Sequence, residues 1–126
     1  MLLTFLGIST GKDGCPTLYS TDRGTYVIQG WRVGAPDLIA RMNLGPGETC
    51  VETPAHLMTF LLEPHSADAD APRPYVVTDR GTYVVKGPEI TDPATLSQMD
   101  VPSHETAVEV LRESMADVAR EIAWSG

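Results

Sequence analysis

Short alternating runs of apolar and polar residues dominate the chain up to its C-terminal segment, where helical spacing takes over. Leu18-Tyr19-Ser20-Thr21 and Thr25-Tyr26-Val27-Ile28 are rich in aromatic, β-branched and hydroxyl side chains, and they flank Asp22-Arg23-Gly24. That pattern predicts a β-hairpin with a three-residue loop, in which Gly24 takes positive φ and the Asp22 carboxylate bonds forward to the backbone. The loop sets a register of Thr21 against Thr25, Ser20 against Tyr26, Tyr19 against Val27 and Leu18 against Ile28. Leu18, Tyr26 and Ile28 then share one face, which is the expected buried side.

The same pattern returns. Thr21-Asp22-Arg23-Gly24-Thr25-Tyr26-Val27 recurs letter for letter as Thr78-Asp79-Arg80-Gly81-Thr82-Tyr83-Val84, and a shift of 57 residues aligns 17–54 with 74–111 without a gap. Of those 38 positions 14 are identical, among them Gly30 with Gly87, Pro36 with Pro93, Met42 with Met99, Glu48-Thr49 with Glu105-Thr106 and Val51-Glu52 with Val108-Glu109. Two copies of this length imply an internal pseudo-dimer rather than a solenoid, which needs at least about three units.

Within each copy a strand bends at Gly30 or Gly87, and Pro36 to Met42 and Pro93 to Met99 follow as short helical turns, the second capped by Asp92. Glu48 to Thr53 and Glu105 to Val110 read as third strands. Helices are predicted over His56 to Glu63, with Thr53 as cap, and over Leu111 to Trp124, where Leu111, Met115, Val118 and Ile122 make one apolar stripe. In the second hairpin Tyr83 and Val85 share a face with Tyr75 and Val77. Leu2 to Ile8 predicts an extra strand at the edge of the first unit, with Lys12-Asp13-Gly14 as its turn.

The expected fold is therefore α+β, an internal duplication of a β-β-(short α)-β-α unit, pseudo-twofold, with a joined antiparallel sheet or partial barrel. Residues 1–63 form the first unit, 64–74 a solvated linker and 75–126 the second unit, together one compact body. Hydrophobic residues at 42% and charged residues at 21% suit a globular chain of this length.

Charge narrows the partners. Nine basic against 17 acidic residues give a net charge of −8 with no basic cluster, which disfavours nucleic acid and anionic membrane surfaces. No run approaches the roughly 18 apolar residues of a membrane span, and the N-terminus lacks the basic leader of a signal peptide, so the expectation is a cytoplasmic protein. Cys15 and Cys50 stand opposite Pro72 and Ala107 in the repeat and read as reduced, partly buried thiols, with a disulfide open only in an exported chain.

Candidate chemistry is sparse. His56, His65 and His104 lack paired spacing, and a zinc site at Cys15, Cys50 and His56 has no ligand knuckle behind it, so neither metal nor cofactor is expected. Gly45-Pro46-Gly47 is a rigid turn rather than a phosphate cradle, since proline removes a donor. Glu48 and Glu52, repeated as Glu105 and Glu109, are too far apart along one strand for two-carboxylate hydrolysis and read as solvent-facing glutamates. Turn chemistry accounts for Asp and Gly of the repeated loop but leaves its arginines, threonines and tyrosines. Asp22, Arg23, Tyr26, Asp79, Arg80 and Tyr83 are thus the candidate binding or inter-repeat contacts: the arginines pair locally, or the two loops make matched contacts between the halves or with a carboxylate or phosphate of a partner.

Cys15-Pro16-Thr17-Leu18-Tyr19, Asp22 to Val27, Gly30-Trp31, Asp92-Pro93 and Val108-Glu109-Val110 resemble the BldB-type developmental regulators and similar small actinobacterial proteins. The resemblance covers both halves and implies a non-enzymatic, self-associating intracellular regulator. The expected function is a protein-interaction or regulatory module whose partner is a transcriptional regulator or a second copy of itself. A small-molecule or nucleotide binding protein, with its ligand between the halves near Arg23 and Arg80, is the alternative, and an enzyme of unknown class the third.

Overall fold

The computed structural model describes residues 1–9, 15–62 and 73–125, with side chains up to residue 121. The expected turn at Lys12-Asp13-Gly14, most of the 64–74 linker, His65 and the stripe residue Ile122 fall outside what is described. The fold is mixed α+β, built mostly on one seven-stranded antiparallel sheet with a few short helices.

In chain order the strands are β1 (Leu3–Ile8), β2 (Thr17–Thr21), β3 (Thr25–Arg32), β4 (Glu48–Thr53), β5 (Tyr75–Val77), β6 (Tyr83–Pro88) and β7 (Glu105–Leu111). Helix α1 (Pro36–Met42) precedes β4, α2 (Pro93–Leu96) precedes β7, and α3 (Ala116–Ser125) follows it. The β2–β3 hairpin has the register its loop dictates, Ser20 against Tyr26, Tyr19 against Val27 and Leu18 against Ile28. Both loop glycines, Gly24 and Gly81, take positive φ. Strand β1 lies antiparallel on the outer edge of β2, with Leu3 against Thr21 and Phe5 against Tyr19.

Long-range pairing joins the two hairpins through each other's third strands. Strand β3 pairs with β7, Thr25 against Leu111 through Trp31 against Glu105, and β6 pairs with β4, Tyr83 against Thr53 through Pro88 against Glu48. Two shorter contacts, Trp31 and Arg32 with Glu52 and Val51, and Glu89 with Val108, complete a closed circuit β3–β4–β6–β7–β3. Gly30 and Gly87 sit where that circuit is tightest. A Cβ on Gly30 would stand 2.7 Å from the Glu52 carbonyl oxygen, and one on Gly87 would overlap the Glu109 carbonyl. The glycines serve close backbone approach inside continuous strands rather than a break in them.

The main core combines Leu18, Tyr26, Ile28, Val51, Leu57, Met58, Val85, Val108, Val110, Met115 and Val118. Each such side chain contributes roughly 1.5–3 kcal/mol by leaving water. The expected faces hold: Leu18, Tyr26 and Ile28 are buried together, with Tyr75, Tyr83 and Val85 packed on the same cluster, while Val77 is 52% exposed.

Two helices differ from expectation. The segment after β4 is a 3₁₀ helix over Ala55–Phe60, capped by Pro54 without a side-chain bond, because only Leu57 and Met58 need to reach the core and Leu61 is already extended. Thr53 belongs to β4 and is buried. At the C-terminus, pairing with Thr25 and the bond from Arg112 N–H to the Gly24 carbonyl keep Leu111 in the strand. A 3₁₀ turn over Arg112–Met115 then leads into α3. The stripe therefore starts at Met115 and Val118, both buried, while Leu111 is exposed.

Candidate functional site

Each repeated loop is ordered by hydroxyl chemistry. Thr25 Oγ1 donates to Glu109 Oε2 at 2.7 Å, and its oxygen lies 2.6 Å from Thr21 Oγ1. A hydroxyl has one proton, so Thr25, which gives its proton to the carboxylate, must accept from Thr21. The Thr21 oxygen in turn accepts the N–H groups of Arg23 (3.0 Å) and Thr25 (3.4 Å), closing the turn. The second copy repeats this chain of bonds. Thr82 Oγ1 donates to Glu52 Oε2 at 2.5 Å, Thr78 and Thr82 hydroxyls stand 2.6 Å apart, and Thr78 Oγ1 accepts from Arg80 N–H (3.3 Å) and Thr82 N–H (3.2 Å).

The arginines complete both assemblies. Arg23 Nε lies 3.7 Å from Glu109 Oε2, and an Arg80 terminal guanidinium nitrogen donates to Glu52 Oε2 at 2.6 Å. Both guanidinium groups are more than half exposed, whereas the two glutamates are largely covered. Glu109 belongs to β7 and Glu52 to β4, so each loop grips a carboxylate on the long-range strand that pairs with its own hairpin. The expectation of solvent-facing glutamates is corrected for both, since the cross-strand neighbour of each is a donor loop. Their recurrence at a spacing of 57, alongside the heptapeptide, is visible in the sequence, but the loop that covers each is not.

The remaining candidate residues separate into unlike pairs. Tyr26 is buried, and its hydroxyl accepts from Leu62 N–H at 3.0 Å. Tyr83 is half-buried and packs against Tyr75 with ring centroids 5.8 Å apart; burial raises both phenol pKa values. Asp22 makes no forward bond within its turn, a task that falls to Thr21 instead. Asp22 Oδ1 accepts from Leu2 N–H at 3.0 Å, and Asp22 N–H donates to the Leu2 carbonyl at 3.2 Å, pinning the start of β1. Asp79 is exposed.

The expectation of a solvent-facing glutamate is corrected at Glu105 as well, which is buried in a polar pair with Gln29. Glu105 is 1% exposed and takes a hydrogen bond from Gln29 Nε2 at 2.8 Å, while the same nitrogen donates to the Asp100 carbonyl. Burial pushes the Glu105 carboxyl up, against the opposing pull of Gln29 and of His104, whose Nε2 lies 3.3 Å from Oε2. No repeat could mark the pair, because position 86 holds Lys where position 29 holds Gln.

Beside it lies a cleft of about 650 Å³ with Ile90, Leu96, Met99 and Val101 as apolar lining. Thr106 Oγ1 donates to Glu89 Oε2 at 2.6 Å there, and Arg32 approaches the same oxygen at 3.8 Å. The lining of this cleft includes neither Arg23 nor Arg80.

Neither Cys15, which is half-buried, nor Cys50, which is buried, forms a disulfide among the described residues, and burial raises the pKa of Cys50. Among the described residues no group of three His, Cys, Asp or Glu side chains is placed to hold a metal ion, and no helix is long and apolar enough to cross a membrane. No protein-family model, curated protein or solved structure matches the chain.

Proposed function

We propose that the chain is a non-enzymatic module that binds protein, with the regulatory role its resemblance to BldB-type regulators implies, and that it is built as an internal pseudo-dimer of duplicated units. The duplication is supported by register. Shifting by 57 residues turns the β3–β7 pairs Tyr26 with Val110 and Val27 with Glu109 into the β6–β4 pairs Tyr83 with Thr53 and Val84 with Glu52. The same shift turns Arg32 with Val51 into Glu89 with Val108. Each arginine loop, so read, clasps the opposite unit.

One observation carries the binding function. The threonines and arginines of the repeated motif are directed onto internal glutamates, while Leu2, Phe5 on the outer edge strand β1 and Val77 on β5 are more than half exposed. Large apolar side chains on exposed sheet edges mark surfaces that other polypeptides cover. Capture on tagged full-length protein from a native lysate is expected to yield a stoichiometric protein partner that survives a salt series, either a transcriptional regulator or a second copy of the chain. Recovery of nothing at any salt concentration counts against the reading.

A second reading, a small-molecule or nucleotide binding protein, is favoured by the cleft at Arg32, Glu89 and Thr106. It moves the ligand from Arg23 and Arg80 to Arg32. Thermal shifts induced by a panel of nucleotides and organic acids would be lost in Arg32→Ala and kept in the double variant Arg23→Ala, Arg80→Ala.

A further inference from the structure

Strands β2 and β5 begin the two hairpins, but among the described residues only β2 has a strand on its outer side: β1 covers it, whereas β5 ends the sheet. We propose that the outer edge of β5, from Tyr75 to Asp79, receives an extended segment of a partner polypeptide as an added antiparallel strand. This rests on the protein-binding reading and names the place and the chemistry of the contact.

Hydrogen-bond parity shows which backbone groups of β5 point away from β6. Lys86 N–H donates to the Pro74 carbonyl and Thr78 N–H to the Thr82 carbonyl, so residues 74, 76 and 78 direct their backbone groups at β6. In an antiparallel strand the intervening residues point the other way, which leaves the N–H and C=O of Tyr75 and Val77 facing outward. Pro74 does not guard this edge, because its missing N–H would have pointed at β6. No charged side chain lies within Tyr75–Val77 to repel an incoming strand.

Asp79 supplies a second, independent observation. Its counterpart Asp22 spends both backbone N–H and carboxylate on Leu2, the first residue held by the hairpin edge. Turn closure does not require the aspartate in either copy, since Thr21 and Thr78 accept the turn N–H groups. Asp79 nevertheless recurs, exposed, at the end of the bare edge, with the same two groups to offer a backbone.

The β1–β2 register tells what the incoming strand resembles. Leu3 opposes Thr21, Phe5 opposes Tyr19 and Gly7 opposes Leu18, which correspond to Thr78, Val76 and Tyr75. Phe5 packs edge-on to Tyr19, so an apolar residue is expected opposite Val76. The occupant is thus an extended segment of alternating apolar residues, recognised by main-chain bonds along a sheet edge.

A labelled peptide with the sequence of Leu2–Ile8 tests this on the full chain. Fluorescence anisotropy should show saturable binding, and hydrogen exchange should show the Tyr75 and Val77 amides slowing when peptide is added. Val77→Pro removes one outward N–H and no bond to β6, so it should keep the melting temperature and weaken the peptide at least tenfold. Asp79→Ala, at an exposed turn, should weaken it several-fold. Absence of binding to the wild-type chain, equal binding by both variants, or Tyr75 and Val77 amides already protected without peptide would overturn the proposal. A native partner recovered equally by wild type and Val77→Pro would overturn strand addition and leave the protein-binding reading standing. Peptide binding with no native partner at any salt would do the reverse.

Discussion

Identical sequence at Thr21–Val27 and Thr78–Val84 produces the same turn, the same threonine relay and the same reach for a glutamate, yet the two copies live in different surroundings. The first is buttressed: β1 covers its outer strand, Asp22 holds Leu2, and Tyr26 is buried with a backbone N–H on its hydroxyl. The second is more open: β5 has three residues and, among the described residues, ends the sheet, Tyr83 is half-buried, and Asp79 is exposed. Local hydrogen bonding is thus set within each heptapeptide, whereas burial is set by what the rest of the chain lays against it. The arginine contacts follow suit, a 2.6 Å bond for Arg80 against 3.7 Å for Arg23.

The largest test of the likeness between the copies is at their glycines. Gly30→Ala and Gly87→Ala each force a Cβ against a backbone carbonyl that cannot swing aside, with an expected loss of about 3 kcal/mol and the greater loss at Gly87. Denaturant midpoints measure this, and a cost under about 1 kcal/mol at both would mean the circuit is looser than the structure has it. Next come the clasped carboxylates. Glu52→Ala and Glu109→Ala each strand a threonine hydroxyl and cost roughly 1–3 kcal/mol, with Glu52 the more costly because of its closer arginine. By contrast Arg23→Ala and Arg80→Ala, truncating exposed groups, should each cost under about 1 kcal/mol.

The tyrosines sharpen the contrast between the buttressed and open hairpins. Tyr26→Phe leaves Leu62 N–H without its acceptor and should cost about 1 kcal/mol, while Tyr83→Phe should fall within about 0.5 kcal/mol of wild type. Equal losses would mean that both hydroxyls are used. The smallest effect concerns pH. Glu105 is buried and its pKa raised, so the folded chain holds that proton more tightly than the unfolded one, and this group's contribution to stability declines as pH rises through the interval between its ordinary and raised values. Glu105→Gln keeps an acceptor for Gln29, should raise the melting temperature at pH 7, and should flatten that decline.

Much of the secondary structure and one register were legible in the residues. Helix α1 spans Pro36–Met42, as its proline and apolar spacing predict, and Asp92 caps α2 by accepting from Thr95 N–H. Strands β4 and β7 were marked by alternation and by Pro54, which blocks a helix through that point. Helix lengths were less legible, since the segment after β4 shortens to the two 3₁₀ turns over Ala55–Phe60 that deliver Leu57 and Met58, a limit set by the core rather than by the segment itself. The candidate site was half legible. Both arginine loops stood out by repetition, but Thr25 and Glu109 meet across 84 residues of chain, and no local pattern encodes such a meeting.

The sequence by itself determined the two turns and the register of the first hairpin, because glycine φ, threonine hydroxyls and strand alternation act over a few residues. Only the tertiary structure decided which glutamate each loop grips, that Glu105 is buried beside Gln29, and that, among the described residues, β5 ends the sheet where β2 does not. Those outcomes depend on pairings between distant strands, and burial and desolvation exist only once the strands have met.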